Sequence, residues 1–184
     1  MHHPSKHPSV TAVPSPPEPL LRYRSQVEAE LRSAITGSHL QDSQDPELYR
    51  ILRYHLGWVD EHHHPTAGTG GKALRPALCV LSCQASGGTP EVAFPAAAAV
   101  ELMHNFSLIH DDIQDDDLFR YGRETLHRKY DPGTAINVGD YLIGIGYQLV
   151  NSARDEVGAE ITCDVLDRMA TAHIKLCDGQ GAEM

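Results

Sequence analysis

Between Ser107 and His127 the chain reads SLIHDDIQDDDLFRYGRETLH, and Asp111, Asp112, Asp115, Asp116 and Asp117 fall within seven positions. An apolar run leads into them; Arg120 and Arg123 follow, with Lys129 further on. On a helix Asp111 and Asp115 stand four apart, so their carboxylates share a face, with Asp112 one step round. Like charges at that spacing cost about 0.2–0.5 kcal/mol at a surface. The cost grows where protein walls the face in, because the field is less screened. A divalent cation reverses the sign. Mg²⁺ suits such a face, since it keeps several waters and binds through one or two carboxylates plus substrate phosphates. An acidic helix end fraying into solvent would look the same, so the aspartates alone do not decide.

Three features point toward a diphosphate. The stretch GGKALRP, Gly70 to Pro76, puts Lys72 and Arg75 three apart behind flexible glycines, with Pro76 at a helix start. Cations at a helix N-terminus oppose the dipole unless an anion lies between them. A solvated turn is the other reading of this segment. His104 lies seven residues before Asp111, on the same face and roughly 10 Å back along the axis. A core histidine is the plainer account of it; a second anchor for a phosphate is the functional one. Arg120 and Arg123 then stand beside the acidic face, where metal bridges carboxylate to phosphate and arginine takes the remaining oxygens.

The elements that must position these groups read as helices. LLRYRSQVEAELRSAI, from Leu20, has helical apolar spacing, and Asp45–Pro46 opens ELYRILRYHLGWVDE. HHHPTAGTGG, His62 to Gly71, reads as an exposed loop and not a metal site. Pro76 to Ala85 is apolar. A long helix is expected from Pro95 to about Asp116, another from Thr134 to Arg154 with Gly139, Gly144 and Gly146 as small packing positions, and a last from Ala159 to Asp178. RYGRETLHRKYDPG reads as a loop, and no alternating strand with a hairpin turn stands out. The fold class is all-α, a helical bundle. Residues 1–19, rich in Pro, Ser and His, are expected to form a disordered tail, with the domain running over 20–184.

With 184 residues the chain is long enough for one domain with a core. A net charge of −10 argues against nucleic acid and anionic membrane surfaces as partners. No apolar run is expected to reach the length of a membrane span. The N-terminus has no apolar core of the kind a secretory signal needs. Cys79, Cys83, Cys163 and Cys177 read as buried free thiols of a cytoplasmic protein.

Taken together, GGKALRP, ELMHNFSLIHDDIQDDD, RYGRETLH, AINVGD and CDGQGAE, in that order, resemble the trans-type isoprenyl diphosphate synthases, the polyprenyl synthetase family. The resemblance runs from about Leu48 to Met184. It implies an all-α bundle of the isoprenoid synthase type around a deep cavity. It also implies Mg²⁺-dependent head-to-tail coupling of an allylic diphosphate with isopentenyl diphosphate. On it, Asp111 and Asp115 bind metal with Asp112 in support, and Lys72, Arg75 and His104 hold the isopentenyl diphosphate. Arg120 contacts the allylic diphosphate. Gln180 and Glu183 fit a GQ motif that lines the cavity. Ser107 and Phe106, one turn before Asp111, set product length, farnesyl to geranylgeranyl. Members are commonly homodimers.

Two departures qualify the resemblance. Where the family carries two arginines, this chain has Arg120-Tyr121. Members also continue past the GQ motif into a lysine-bearing segment and a second aspartate-rich motif. The expectation is therefore a fragment, or one partner of a split enzyme, inactive by itself. Two other readings stay in view. A class I terpene cyclase ionises one diphosphate and has no need of the Lys72, Arg75 and His104 set. A non-catalytic subunit of a synthase has no need to keep Asp111, Asp112 and Asp115.

Overall fold

Two long helices form the centre of the molecule because their sequences offer small and apolar side chains at matching spacing. In the computed structural model, which describes residues 17–37, 46–66 and 73–183, these are α5 (Phe94–Gln114) and α7 (Pro132–Ser152). Ala97, Ala98, Ala99, Leu102, Phe106 and Ile109 are buried on α5, and Ala135, Val138, Leu142, Ile145 and Leu149 on α7. The α7 series recurs every three or four residues, which keeps one stripe against its neighbour. Full burial of each large side chain contributes about 1.5–3 kcal/mol relative to exposure. Asp131 starts α7: its carboxylate accepts from Thr134 N at 2.9 Å and from Thr134 Oγ1 at 2.6 Å, with Pro132 in the first turn. Those bonds hold the Asp131 carboxyl below its ordinary pKa.

Around this pair lie α1 (Glu18–Leu21), α2 (Arg24–Gly37), α3 (Pro46–His55) and α4 (Leu74–Ala85). The short α6 (Leu126–Lys129) and α8 (Arg154–Val157) and the long α9 (Ala159–Glu183) complete the helices. The fold is the all-α bundle expected. α1 begins two residues before Leu20; residues 1–16, Asp45 and residues 67–72 lie outside the described residues, and with them most of the tail and Lys72.

Four expectations need correction. The segment after the aspartates is no simple loop: Phe119–Arg120 (β1) pairs antiparallel with Arg123–Glu124 (β2). Its turn, Tyr121-Gly122, has φ of +52° and +76°. A two-residue turn with both φ positive matches strand twist, and it usually announces itself as Asn-Gly or Asp-Gly. Second, Glu91–Gln114 is by length and composition apolar enough to cross a membrane. Its alanines make it apolar, and the same alanines let α7 come close. Third, Cys79 and Cys83 are half-buried, while Cys163 and Cys177 are exposed on α9. Fourth, of the three small positions on α7 only two are used: Gly146 faces the Ala99 carbonyl and Gly139 faces the His110 ring, whereas Gly144 meets nothing.

Gly139 gives the first prediction. A Cβ there would lie 2.5 Å from His110 Nε2 and 2.8 Å from Cδ2. The ring would have to leave its edge-on contact with Phe106, centroids 4.8 Å apart. Gly139→Ala is expected to lose about 1–3 kcal/mol. Gly144→Ala, which fills open space on the same helix, is expected to gain up to about 1 kcal/mol from helix propensity. Urea denaturation of both variants is the measurement, and equal effects would contradict the packing described.

Candidate active site

The five aspartates divide into two sets. Asp111 is half-buried on the last turn of α5, and Asp115 is its exposed C-terminal cap. Asp115 N still bonds Asp111 O at 2.8 Å, so the two remain in helical register and share a face. The others turn toward the hairpin. Asp112 is buried, and Arg120 Nε donates to its Oδ1. Arg120 Nη2 also lies 3.7 Å from Asp117 Oδ2, and His127 Nε2 3.7 Å from Asp116 Oδ1.

Asp112, expected in support of Asp111 and Asp115, is thus held by Arg120 at the hairpin. Burial pushes its carboxyl above the ordinary carboxylate pKa, and the Arg120 hydrogen bond and charge pull it back only in part. Burial works to lower the Arg120 pKa, but the hydrogen bond to Asp112 together with the charges of Asp112 and Asp117 outweighs it and the net shift is upward. The pair fixes the guanidinium in place beside the acidic turn.

The other basic residues that follow the aspartates are occupied. Arg123 Nη2 donates to the carbonyls of Tyr54 and, at 2.9 Å, of Val59, and its guanidinium stacks 4.2 Å above the Tyr54 ring. Lys129 Nζ donates to Glu61 O at 3.2 Å. Arg123 ties the 57–66 segment to the hairpin and Lys129 ties it to α6, while Arg120 stays with the aspartates.

His104 is half-buried two turns back on α5. Burial lowers its pKa, and the charges of Arg75 and Arg120 lower it further. Arg75, exposed on the first turn of α4, therefore acts on the same spot as Arg120. The three expected diphosphate contacts that the structure describes form one electrostatic neighbourhood, with His104 a neutral ring offering one N–H. Gln180 is half-buried near the end of α9. Phe106 is buried, edge-on to His110 and, across the interface, to His173 of α9 at 5.0 Å. Ser107 is half-buried, with its hydroxyl donated to His104 O at 2.9 Å.

Sequence reading missed the groups behind Arg120. A cavity of about 100 Å³ is lined by His55, Glu101, Asn105, Asp112, Arg120 and others. Burial raises the Glu101 pKa against the pull of Arg75. Glu101, Asn105 and Asp112 recur at spacings of four and seven on α5, a signal that was legible but hidden beside the denser aspartates.

Helices packed around an α5 that ends in paired carboxylates beside arginine make an isoprenoid synthase bundle. The polyprenyl synthetase family model matches residues 57–184. The chain is 37% identical over 145 residues to the (2E,6E)-farnesyl diphosphate synthase of Mycobacterium tuberculosis, covering 78% of this chain and 39% of that protein. It is 39% identical over 139 residues to the geranylgeranyl diphosphate synthase of Methanosarcina mazei, covering 75% and 39%. The crystal structure of a polyprenyl synthetase from Streptomyces coelicolor A3(2) superposes with a TM-score of 0.76 at 39% identity, over 89% of this chain and 45% of that one. The chain belongs to the polyprenyl synthetase family, and it spans less than half the length of these relatives.

Proposed function

We propose that this chain carries the first aspartate-rich half of a prenyltransferase site that couples an allylic diphosphate with isopentenyl diphosphate. The single observation that carries the reading is the division of the aspartates. Asp112 holds Arg120, while Asp111 and Asp115 keep a shared face beside it. The donor set fits Mg²⁺: hard carboxylate oxygens, and among the described residues no three acidic, imidazole or thiol groups forming a cage. Magnesium takes few carboxylates together with substrate phosphates. Asp111 and Asp115 would hold it, and when bound it stabilises charge on the departing diphosphate.

This chain's residues then divide the work. Arg120, oriented by Asp112, takes oxygens of the allylic diphosphate as its carbon–oxygen bond breaks and charge develops there. Arg75 and the N–H of His104 hold the second diphosphate, with Lys72 assigned beside them by the family motif. That places the double bond of isopentenyl diphosphate against the allylic carbon. The new carbon–carbon bond forms and a proton leaves to the released diphosphate. Apolar side chains of α5 exclude the water that would quench the cation. Product analysis of the whole protein, with and without isopentenyl diphosphate, is the test. Longer prenyl diphosphates should appear only when it is present and only with Mg²⁺; a cyclic hydrocarbon made without it would replace this reading by a cyclase.

Product length gives a second prediction. Ser107 stands almost beneath Asp111, and Phe106 lies further round, locked between His110 and His173. A small residue beneath the metal face and a fixed ring deeper down support farnesyl to geranylgeranyl as the product range. Ser107→Phe is expected to shorten the product by filling the space under Asp111. Phe106→Ala is expected to lengthen it. Chromatography of the dephosphorylated alcohols measures both, and an unchanged distribution in both variants would show that the tail takes another path.

A further inference from the structure

The turn that carries Asp115 is held from its far side by two residues without a place in the reading so far. Asp116 adopts a left-handed φ of +53°, and Asp117 N bonds back to Asp112 O at 3.0 Å. Beneath them Thr125 is 3% exposed, and its Oγ1 donates to the Asp117 carbonyl at 2.7 Å. Thr125 N bonds Leu118 O at 3.2 Å. A hydroxyl has one proton, and this one goes to Asp117. The Nδ1 of His127, 3.2 Å from Oγ1, is then the donor to the hydroxyl oxygen. His127 Nε2 is enclosed and lies 3.7 Å from Asp116 Oδ1 without a hydrogen bond.

We infer that Thr125 and His127 are positioning residues for the metal-binding face of α5. The inference rests on the magnesium reading above and deepens it. Asp115, Asp116 and Asp117 are consecutive. Clamping the Asp117 carbonyl while Asp116 is left-handed fixes the path of the chain out of α5. It thereby fixes where the Asp115 carboxylate stands relative to Asp111. Helix ends fray when such bonds are absent. A frayed turn must be reordered when metal binds, and that cost appears as lost affinity. Residues that orient metal ligands from behind are worth about 10–100-fold in affinity.

The test uses magnesium with inorganic pyrophosphate as the probe, read by titration calorimetry beside metal-free melting curves. Thr125→Val keeps the shape and removes the hydroxyl; it is expected to weaken binding about tenfold or more. Thr125→Ser restores the hydroxyl and is expected to stay within about threefold of the starting protein. A Thr125→Val protein with a lowered Tm but unchanged affinity would make the residue merely structural and overturn the inference. So would a Thr125→Ser protein as weak as Thr125→Val. If Thr125→Val does not fold, His127→Phe, which keeps a ring and removes the Nδ1 donor, is expected to weaken binding at least about threefold; unchanged affinity there overturns the inference as well. A starting protein that does not bind magnesium pyrophosphate would sink the magnesium reading itself, a result distinct from the variant outcomes.

Discussion

Asp111→Ala and Asp115→Ala are each expected to lower coupling by about 10²–10³-fold or more while leaving the fold intact, the scale on which lost stabilisation of developing charge acts. The reason is where the two carboxylates sit. They close α5 in helical register on one face, with Asp112 turned to Arg120 of the hairpin. Removing one takes away a like-charged neighbour, so metal-free stability should hold or rise slightly. Asp112→Asn should behave differently. It leaves Asp111 and Asp115 in place and loosens Arg120, so its defect should appear in binding of the allylic diphosphate and not in magnesium affinity. Incorporation of labelled isopentenyl diphosphate by the whole protein, with melting curves with and without Mg²⁺, separates these cases. Coupling at the starting rate in both alanine variants would make Asp111 and Asp115 ordinary solvated carboxylates.

The separation of Asp112 from its neighbours shows where sequence stops speaking. Spacing along a helix is local, so the shared face of Asp111 and Asp115 could be read from their numbers. So could the seven-residue step back to His104 and the apolar stripes of α5 and α7. What Asp112 meets depends on how the chain returns after the helix. That return is a hairpin whose turn is Tyr-Gly, with a tyrosine in a left-handed conformation that its type seldom adopts. The same return decides which cations remain with the aspartates. Arg120 and Arg123 look equivalent in sequence; one pairs with Asp112, and the other is spent on the carbonyls of Tyr54 and Val59, about seventy positions earlier. No local pattern carries a contact over that distance. His55 was passed over for the same reason: on its own helix it is one more residue after Tyr54, and only tertiary packing brings it to Asn105 and the arginines.

Acidification is expected to destabilise the protein through His55. Its Nε2 is enclosed without a hydrogen bond, and it lines the cavity that also holds Arg120. Burial first, and the charge of Arg123 second, lower its pKa from 6.5 to about 4, while a hydrogen bond with Asn105 works weakly the other way. In the unfolded chain the ring takes up a proton near pH 6.5; in the folded one it resists until about pH 4. The folded protein binds fewer protons in that window. The contribution of neutral His55 is therefore fully present above pH 6.5 and falls away as pH drops toward 4. A gap of that size corresponds to stability on the order of 3 kcal/mol. His55→Gln removes the titration and keeps a polar side chain. Urea denaturation of both proteins at several pH values isolates the effect, since every other titrating group is common to the two. The stability of the starting protein relative to His55→Gln is expected to fall by about 2–3 kcal/mol between pH 7 and pH 4. A difference that stays constant across that range would mean that His55 is open to water. The same measurement bears on the site, because a proton on His55 would set a third cation beside Arg120 and Arg123. The diphosphate contact proposed for Arg120 should therefore change over the same pH window in which stability is lost.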